Sequence, residues 1–223
     1  MALIDITPVL SDRTHVYPGD TKPTREVLCR LEEGRPVTLS TLRTSVHVGA
    51  HADAPGHYGL GGRTMEQQPI ELYVGRCAVV RANAPRGGRL GLEHLEGELP
   101  ETERLLIDSG TFDGIDVWND DYCGLAPEFI DHLHERGVRL VGVDAPSVDT
   151  QESKDLPAHA RFFAHDMAIL EGLALKDVAP GEYELIALPL ALEGFDGARF
   201  VRYSVNLKTD PSRSEPPNPG NTS

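Results

Sequence analysis

The strongest constraint on this chain is a run of three histidines and one aspartate within eleven positions. The run reads His-Val-Gly-Ala-His-Ala-Asp-Ala-Pro-Gly-His and contains His47, His51, Asp53 and His57. Imidazole nitrogen and carboxylate oxygen are ligands that suit zinc, manganese or iron, and a catalytic zinc uses about three protein ligands plus an open water position. The spacing therefore predicts a metal site and leaves one of the four side chains for proton transfer.

Chance clustering is the alternative to a metal site. The chain has 9 histidines among 223 residues, and an isolated histidine is usually a surface residue or a hydrogen-bonded core residue. However, a His-x3-His-x-Asp-x3-His pattern chosen in advance would arise by chance in about one such chain in a thousand. The ligand types and their spacing favour the metal site.

The backbone must bend if these side chains are to meet. Alternating residues from Thr44 to Val48 are typical of a half-buried strand and place His47 opposite the valines. In an extended chain His47 and His51 would lie about 13 Å apart, too far for one ion with bonds of about 2 Å. Gly49 permits a tight turn and Pro55 disfavours helix just before it. We therefore expect a strand, a bend and a short irregular segment that carries the ligands.

The remaining pattern predicts an α/β or mixed α+β fold with a mixed sheet. The clearest helix is expected from about Pro127 to Arg136, with Gly137 just past its end, and a shorter one near Ala158 to His165. Runs rich in valine, isoleucine and leucine predict the strands. These are Leu3–Thr7, Glu26–Leu31, Val37–Val48, Gly75–Arg81, Arg104–Asp108, Val138–Asp144, Glu184–Leu192 and Phe200–Leu207.

Composition and charge exclude several functional classes. A mass of 24.3 kDa with 39% hydrophobic residues predicts one globular domain over residues 1–207. Residues 208–223 are rich in proline, serine and asparagine and are expected to form a flexible tail. The net charge of −14 and the lack of a basic cluster argue against nucleic acid as a partner. No signal-like start or long apolar run is present, so we expect a soluble, cytoplasmic protein without membrane association.

A second group of ligand-type residues lies about a hundred positions downstream. It consists of His159, His165, Asp166 and Glu171. Glu171 follows the apolar run Met-Ala-Ile-Leu, where a carboxylate is costly unless it is paired or bound to a metal. On local sequence alone, an ion pair with an arginine and a metal-binding role both remain open. Two such clusters are what a two-metal site built across a fold would require.

Three motifs together resemble the cyclase family of metal hydrolases. They are the His47–His57 run, the turn Gly-Val-Asp-Ala-Pro-Ser-Val-Asp at Gly142–Asp149, and Glu184-Leu-Ile-Ala-Leu-Pro-Leu. Within that family, Gln151–Lys154 and Ala168–Leu173 are most similar to bacterial kynurenine formamidases, also called arylformamidases. The likeness covers the chain up to the C-terminal tail.

This resemblance implies a swivelling β/β/α domain and two divalent metal ions per subunit, Zn²⁺ first and Mn²⁺ second. The implied ligands are His47 and His51 for one ion, His159 for the other, and Asp53 and Glu171 as bridges. His57 would be the general acid/base. Tyr17 occupies a position where a tryptophan typically lines the substrate pocket, so it is expected to bind substrate through its aromatic face.

The implied reaction is hydrolysis of N-formyl-L-kynurenine to L-kynurenine and formate in tryptophan degradation, catalysed by a homodimer or tetramer. One alternative is another hydrolase of the family that opens a cyclic amide or lactone, which Tyr17 favours. A second is a non-catalytic metal-binding protein, against which His57 argues because a storage site needs no unliganded base. A serine hydrolase is disfavoured because the chain has no Gly-x-Ser-x-Gly.

Overall fold

The computed structural model describes residues 3–199 and 203–206 and contains both strands and helices. The strands are β1 (Leu3–Asp5), β2 (Thr24–Cys29), β3 (Leu39–Arg43), β4 (His51–Asp53), β5 (Val74–Arg81), β6 (Arg89–Leu90), β7 (Arg104–Asp108), β8 (Gly124–Leu125), β9 (Leu140–Val143), β10 (Ala168–Glu171), β11 (Gly181–Ile186), β12 (Gly197–Arg199) and β13 (Tyr203–Asn206). The α-helices are α1 (Pro55–Tyr58), α2 (Pro127–Glu135) and α3 (Pro157–His165). Short 3₁₀ helices span Leu31–Glu33, Met65–Gln67, Ile70–Tyr73 and Leu92–His94.

The main sheet is mixed and has nine strands in the order β1-β13-β11-β5-β7-β9-β10-β4-β12. Its centre, β5-β7-β9-β10, is parallel, whereas the strands on both sides are antiparallel to their neighbours. Every residue of β7, β9 and β10 is buried, as expected for parallel strands covered on both faces. The predicted mixed α/β architecture is confirmed.

The core lies in two layers, one on each face of this sheet. Successive side chains of β7 alternate between them, because Leu106 packs in one layer and Leu105 and Ile107 pack in the other. The second layer also contains the apolar stripes of α2 and α3. Their contributing side chains are Phe129, Ile130, Leu133, Ala158 and Phe162. Two helices therefore pack on one face of the sheet that carries the candidate site.

Both predicted helices are present, and their bounds differ from the expected ones by a single residue. The expected strand over residues 37–48 is wrong in its second half, because β3 ends at Arg43 and His47 lies in a turn. The segment expected to be irregular is also different: His51–Asp53 forms β4, which pairs with β10 on one side and β12 on the other. These pairings join residues more than a hundred positions apart, so local alternation does not reveal them.

Other strand bounds also differ from expectation at their ends. The strand expected over residues 184–192 is Gly181–Ile186, because its pairing with β5 stops at Ile186. The strand expected over residues 200–207 is described only as Tyr203–Asn206. The predicted flexible tail, residues 208–223, lies outside the described residues. Among the described helices, none combines the length and apolarity needed to cross a membrane.

Leu133 tests the packing of α2 against the sheet. It is 0% exposed within the second core layer, so Leu133→Ala should lower the free energy of unfolding by about 2–5 kcal/mol. Glu135→Ala removes an exposed side chain from the same helix and should change it by about 0.5 kcal/mol or less. Denaturant titration measures both changes in the free energy of unfolding, provided that the m-value is unchanged. Equal effects of the two substitutions would contradict the described packing.

Candidate metal centre

The ligand-type side chains converge where β4 and β10 pair and where α3 begins. His51 and Asp53 are two residues apart on β4, so their side chains share one face of the strand. Glu171 ends β10 and is paired in register with His51. His159 lies in the first turn of α3. Residues from both sequence clusters are therefore neighbours in the fold.

At the centre, two carboxylates lie between two imidazoles. His51 Nε2 is 3.3 Å from Asp53 Oδ1 and 3.3 Å from Glu171 Oε2. His159 Nε2 is 3.5 Å from Asp53 Oδ2 and 3.6 Å from Glu171 Oε1. Each carboxylate thus directs one oxygen toward each histidine. All four residues are buried. This is the disposition that two bridging carboxylates would need.

Hydrogen bonds hold both imidazoles with Nε2 toward the carboxylates. His51 Nδ1 donates to the Gly49 carbonyl at 2.9 Å, and His159 Nδ1 donates to Asp149 Oδ2 at 2.8 Å. Asp149 also accepts from the backbone N–H of His159 and pairs with Arg89 Nη1 at 2.8 Å. A histidine that donates through one ring nitrogen presents the other as a lone pair, the usual arrangement behind a metal ligand. Both Nε2 atoms are available to an ion.

Gly172 permits the close approach that supports His51. Its φ is +66°, and a Cβ there would lie 2.3 Å from the Gly49 oxygen. Any larger residue would therefore displace the carbonyl to which His51 donates. Gly172 thus helps to hold His51 on the neighbouring strand β4.

The electrostatics of the cluster demand positive charge. Burial lowers the pKa of His51, but Asp53 and Glu171 outweigh this and raise it to about 10. Burial likewise lowers the pKa of His159, which Asp149 and then Asp53 raise to about 10. Burial raises the pKa of Asp53, yet the neighbouring imidazoles of His159, His47 and His51 hold it well below its usual range. Protons on the imidazoles or a divalent cation can supply the required charge.

Of these two sources of positive charge, a divalent cation better explains the environment of one buried oxygen. Among the described residues, Asp53 Oδ2 is buried and accepts no hydrogen bond. A buried carboxylate oxygen without a donor carries a large desolvation cost, which a coordinated cation offsets. Among the described residues, three groups of ligand atoms lie close enough together to hold an ion. The two that contain buried carboxylates are His47, His51 and Asp53, and Asp53, His159 and Glu171; the third, His47, His57 and Asp196, is largely exposed. The residues present therefore fit one or two divalent ions of the borderline type.

His47 and His57 form the outer part of the site together with Asp196. His47 Nδ1 lies 3.0 Å from Asp53 Oδ1, and its Nε2 lies 3.1 Å from Asp196 Oδ2. The His57 ring stacks on His47 at a centroid distance of 4.0 Å, and its Nδ1 is 3.4 Å from the same Asp196 oxygen. His57 lies on α1, and its side chain is 37% exposed. It therefore borders the cluster on the solvent side.

Asp149 and Asp196 were not predicted as site residues. Asp149 is the last residue of the Gly142–Asp149 motif. The motif pointed to this part of the chain but did not predict the contact between Asp149 and His159. Asp196 is an exposed carboxylate in a glycine-flanked loop that gives no local signal. It reaches the site because Gly197 pairs with Asp53 where β12 joins β4.

Two members of the second sequence cluster lie outside the site. His165 Nε2 is 2.6 Å from Asp131 Oδ1, and Asp166 forms an ion pair with Arg63. Neither joins the ligand groups. The alternative partner for Glu171, an arginine, is not found in the described part of the chain. Its partners there are His51, His159 and the Val148 N–H, which donates to Oε1 at 2.8 Å.

Tyr17 and His47 line the same small pocket. Trp118 lies in the same pocket with its ring edge-on to Tyr17, at a centroid distance of 6.2 Å. Gln151 holds both side chains, because its carbonyl accepts from the Tyr17 hydroxyl at 2.9 Å and its Oε1 accepts from Trp118 Nε1 at 3.1 Å. Trp118 has a φ of +42°, uncommon for so bulky a residue. Sequence reasoning did not identify this second aromatic wall.

Comparison with known proteins places the chain among cyclases. Residues 4–150 match the family model described as "Putative cyclase". The fold is similar to that of a potential metal-dependent hydrolase with cyclase activity, with a TM-score of 0.79 and 26% identity over 92% of this chain and 98% of that chain. A predicted metal-dependent hydrolase from Bacillus stearothermophilus gives 0.76 and 27%, over 91% and 97%. Isatin hydrolase A from Labrenzia aggregata shares the fold with a TM-score of 0.76 and 24% identity, over 92% and 93%.

Substitution of the central carboxylates tests whether the cluster holds metal. Asp53→Asn or Glu171→Gln keeps the side-chain shape but removes negative charge, so the Zn²⁺ content after reconstitution should fall well below that of the wild type. Asp166→Asn is the matched control, since Asp166 is of ligand type but lies outside the site, and it should bind as much zinc as the wild type. Elemental analysis of the dialysed proteins gives the result. Normal zinc content in both site variants would show that these carboxylates are not ligands.

Proposed function

This chain belongs to the cyclase family, and on that basis we propose that it is a metal-dependent hydrolase that converts N-formyl-L-kynurenine to L-kynurenine and formate. The observation that carries the proposal is a pocket in which aromatic side chains and a ligand-type histidine lie side by side. Tyr17, Trp118 and His47 all line it. The pocket has a volume of about 20 Å³, so it would widen on binding, and an aryl ring held there would lie beside His47 at the edge of the carboxylate–histidine cluster.

His47, His51 and Asp53 would hold one ion, and Asp53, His159 and Glu171 the other. Zn²⁺ suits this nitrogen and oxygen donor set, and Mn²⁺ is the second candidate. When bound, such ions make water nucleophilic near neutral pH and polarise the carbonyl to be cleaved. The chain's own part is to keep both Nε2 atoms and all four carboxylate oxygens directed inward.

His57 is the proposed proton donor to the departing arylamine nitrogen. Its ring stacks on His47 at the solvent side of the cluster, where a substrate amide would arrive. Asp196 faces Nδ1 and leaves Nε2 free to exchange a proton with the substrate. Positioned proton transfer of this kind contributes about 10²–10⁴ in rate.

The aromatic wall accounts for the preferred class of substrate. Aromatic rings pair best edge-to-face or offset, and Tyr17 and Trp118 offer surfaces at an interplanar angle of 84°. Because Gln151 holds both side chains, an aryl group would contact an ordered pair of rings, and the pocket, about 20 Å³ in this structure, would widen to admit it. An aryl formamide meets these requirements.

Opening of a cyclic aryl amide such as isatin is the second candidate. Tyr17 adds a hydroxyl where kynurenine formamidases typically have tryptophan, which favours a pocket that differs in detail from theirs. The leaving nitrogen is attached to an aromatic ring in both reactions, so the same proton donor would serve. The homo-oligomeric state expected from the family resemblance is part of the proposal for either substrate.

A direct comparison of substrates tests the proposal. For zinc-loaded protein, we expect kcat/KM for N-formyl-L-kynurenine to exceed that for isatin by at least about tenfold, equivalent to about 1.4 kcal/mol of transition-state binding. The reverse order would assign the chain to cyclic amide hydrolysis instead. Protein that binds zinc but hydrolyses neither compound would contradict catalysis on aryl amides.

His57→Ala separates proton transfer from metal binding. We expect kcat for N-formyl-L-kynurenine to fall by about 10²–10⁴ while zinc content stays at the wild-type level. The loss should be smaller for para-nitrophenyl formate, whose leaving group departs without a proton. His51→Ala is the comparison variant, and it should lose zinc. If His57→Ala also lost zinc, or slowed both substrates equally, His57 would not be the proton donor.

Trp118→Leu tests the aromatic wall. The variant keeps an apolar side chain but removes the ring, so KM for N-formyl-L-kynurenine should rise about two- to tenfold, given about 0.5–1.5 kcal/mol for an aromatic pair. Hydrolysis of N-formylglycine, which has no ring, should change little and serves as the substrate control. An unchanged KM for the aryl substrate would place the aromatic ring elsewhere.

A further inference from the structure

A second cavity, of about 580 Å³, lies at the carboxyl ends of the parallel strands, on the same edge of the sheet as the metal centre. Arg81 and Asp108 are the last residues of β5 and β7, and Asp144 directly follows β9. Glu171 ends β10, the next parallel strand. Crevices at the carboxyl ends of parallel strands are common ligand sites, and this volume lies within the range of small-molecule pockets. We call it the strand-end cavity.

Two nearly buried carboxylates supply the acidic side of the strand-end cavity. Asp108 and Asp144 both line it, and each is 8% exposed. Asp144 accepts hydrogen bonds from the backbone N–H groups of Ser109 and Gly110, at 3.1 and 3.0 Å. Asp108 Oδ2 accepts from Arg81 Nε at 3.2 Å, whereas its Oδ1 accepts no hydrogen bond from any residue that the structure describes. A nearly buried carboxylate oxygen without a donor favours a ligand that donates to it.

The charge of these carboxylates favours an organic cation over a metal ion. Burial raises the pKa of Asp144 to about 6, against hydrogen bonds from Ser109 that lower it, and the negative charge of Asp108 adds to the rise. A cation in the cavity would relieve this repulsion. Among the described residues, neither carboxylate belongs to a group of ligand atoms close enough together to hold a metal ion. An ammonium group is the better match, because it needs only acceptors at hydrogen-bond distance.

The rest of the lining is basic and apolar. Lys176 is exposed at the cavity and forms no ion pair within the described part of the chain. Arg81 Nη2 donates to the Lys176 carbonyl at 3.1 Å, which keeps the lysine's segment beside the carboxylates. Phe112, Ile115 and Leu173 supply apolar surface. An acceptor for ammonium, a nearby cation and apolar surface together match an α-amino acid with an apolar side chain.

We propose that the strand-end cavity is a second small-molecule site, which binds the zwitterion of an α-amino acid with an apolar side chain. The ammonium group would donate to Asp108 Oδ1, and the carboxylate would pair with Lys176. The side chain would pack against Phe112 and Ile115. No candidate metal ligand lines this cavity, so an amino acid bound there is not in the position of a hydrolysed amide. The site is additional to the hydrolytic one and independent of which amide is cleaved.

The loop over residues 109–118 connects this cavity to the aromatic pocket that Trp118 lines. Ile115 and Gly172 line both. Trp118 N–H donates to the carbonyl of Gly114, a residue of the strand-end cavity, at 3.0 Å. On the other side, His15 of the aromatic pocket donates its backbone N–H to the Ile115 carbonyl at 2.7 Å. An amino acid that displaces this loop would therefore change the surroundings of Trp118.

Titration of the purified protein with L-phenylalanine provides the test, because Trp118 is the chain's single tryptophan and reports on the loop. We expect calorimetry to give a dissociation constant of about 1 mM or lower, and Trp118 emission to change with the same constant. Hydrocinnamic acid, which lacks the ammonium group, and phenethylamine, which lacks the carboxylate, should each bind at least about tenfold more weakly. No saturable binding, or equal binding of all three compounds, would overturn the proposal. Binding without a change of emission would overturn the connection to the aromatic pocket.

Two variants locate the bound amino acid. Asp108→Asn removes the negative charge but keeps an oxygen for Arg81, and it should raise the dissociation constant at least about tenfold. Lys176→Ala alters an exposed side chain and should raise it about two- to fivefold, which keeps the test decisive if Asp108→Asn fails to fold. Lys22→Ala, which alters an exposed lysine outside the cavity, is the matched control and should leave it unchanged. An affinity that neither cavity variant lowers would locate L-phenylalanine elsewhere, for example in the aromatic pocket, and would contradict the proposal.

Discussion

Two carboxylates buried between two imidazoles impose the main constraint on this structure. Asp53 and Glu171 each direct one oxygen toward His51 and the other toward His159. Ionised carboxylates in a buried position are tolerated only when positive charge and donors surround them. The histidines and the backbone N–H of Val148 meet part of that need, and a bound cation would meet the rest. The paired strands β4 and β10 and the helix α3 place these four side chains so that the carboxylates are surrounded in this way.

The fold meets this constraint by combining local and distant contacts. His51 and Asp53 share a face because β4 is a strand, and β4 is a strand because β10 and β12 flank it. The same two pairings bring Glu171 opposite His51 and carry Asp196 to the rim. The parallel centre of the sheet, buried on both faces, provides the rigid support. Site geometry and sheet topology therefore depend on each other.

Much of this could be predicted from sequence where the chemistry is local. The histidine run identified His51 and Asp53, and the helix that carries His159 was expected near Ala158 to His165, within one residue of where it lies. The turn at His47 and the strand β4 could not be predicted, because the alternation of residues in one segment does not reveal distant pairing partners. Asp196 and Trp118 were not predicted as site residues for the same reason. An exposed carboxylate or a lone tryptophan acquires meaning only when the fold places it beside the cluster.

The aromatic pocket and the cluster are built from different parts of the chain, yet they share His47. Tyr17 and Trp118 come from loops and His47 comes from a turn, whereas His51, Asp53, Glu171 and His159 lie on strands and a helix. Rigid elements thus hold the groups that need accurate placement, and loops supply the aromatic pair that we propose contacts the substrate. Under our proposal, substitutions in the loops would alter the choice of substrate while the cluster is kept.

Anomalous diffraction at the zinc absorption edge, from crystals grown with Zn²⁺, tests the central claim most directly. The account predicts two anomalous peaks among the carboxylate oxygens of Asp53 and Glu171, one contacting His51 and the other His159. Peaks confined to surface residues, with none in this cluster, would contradict it.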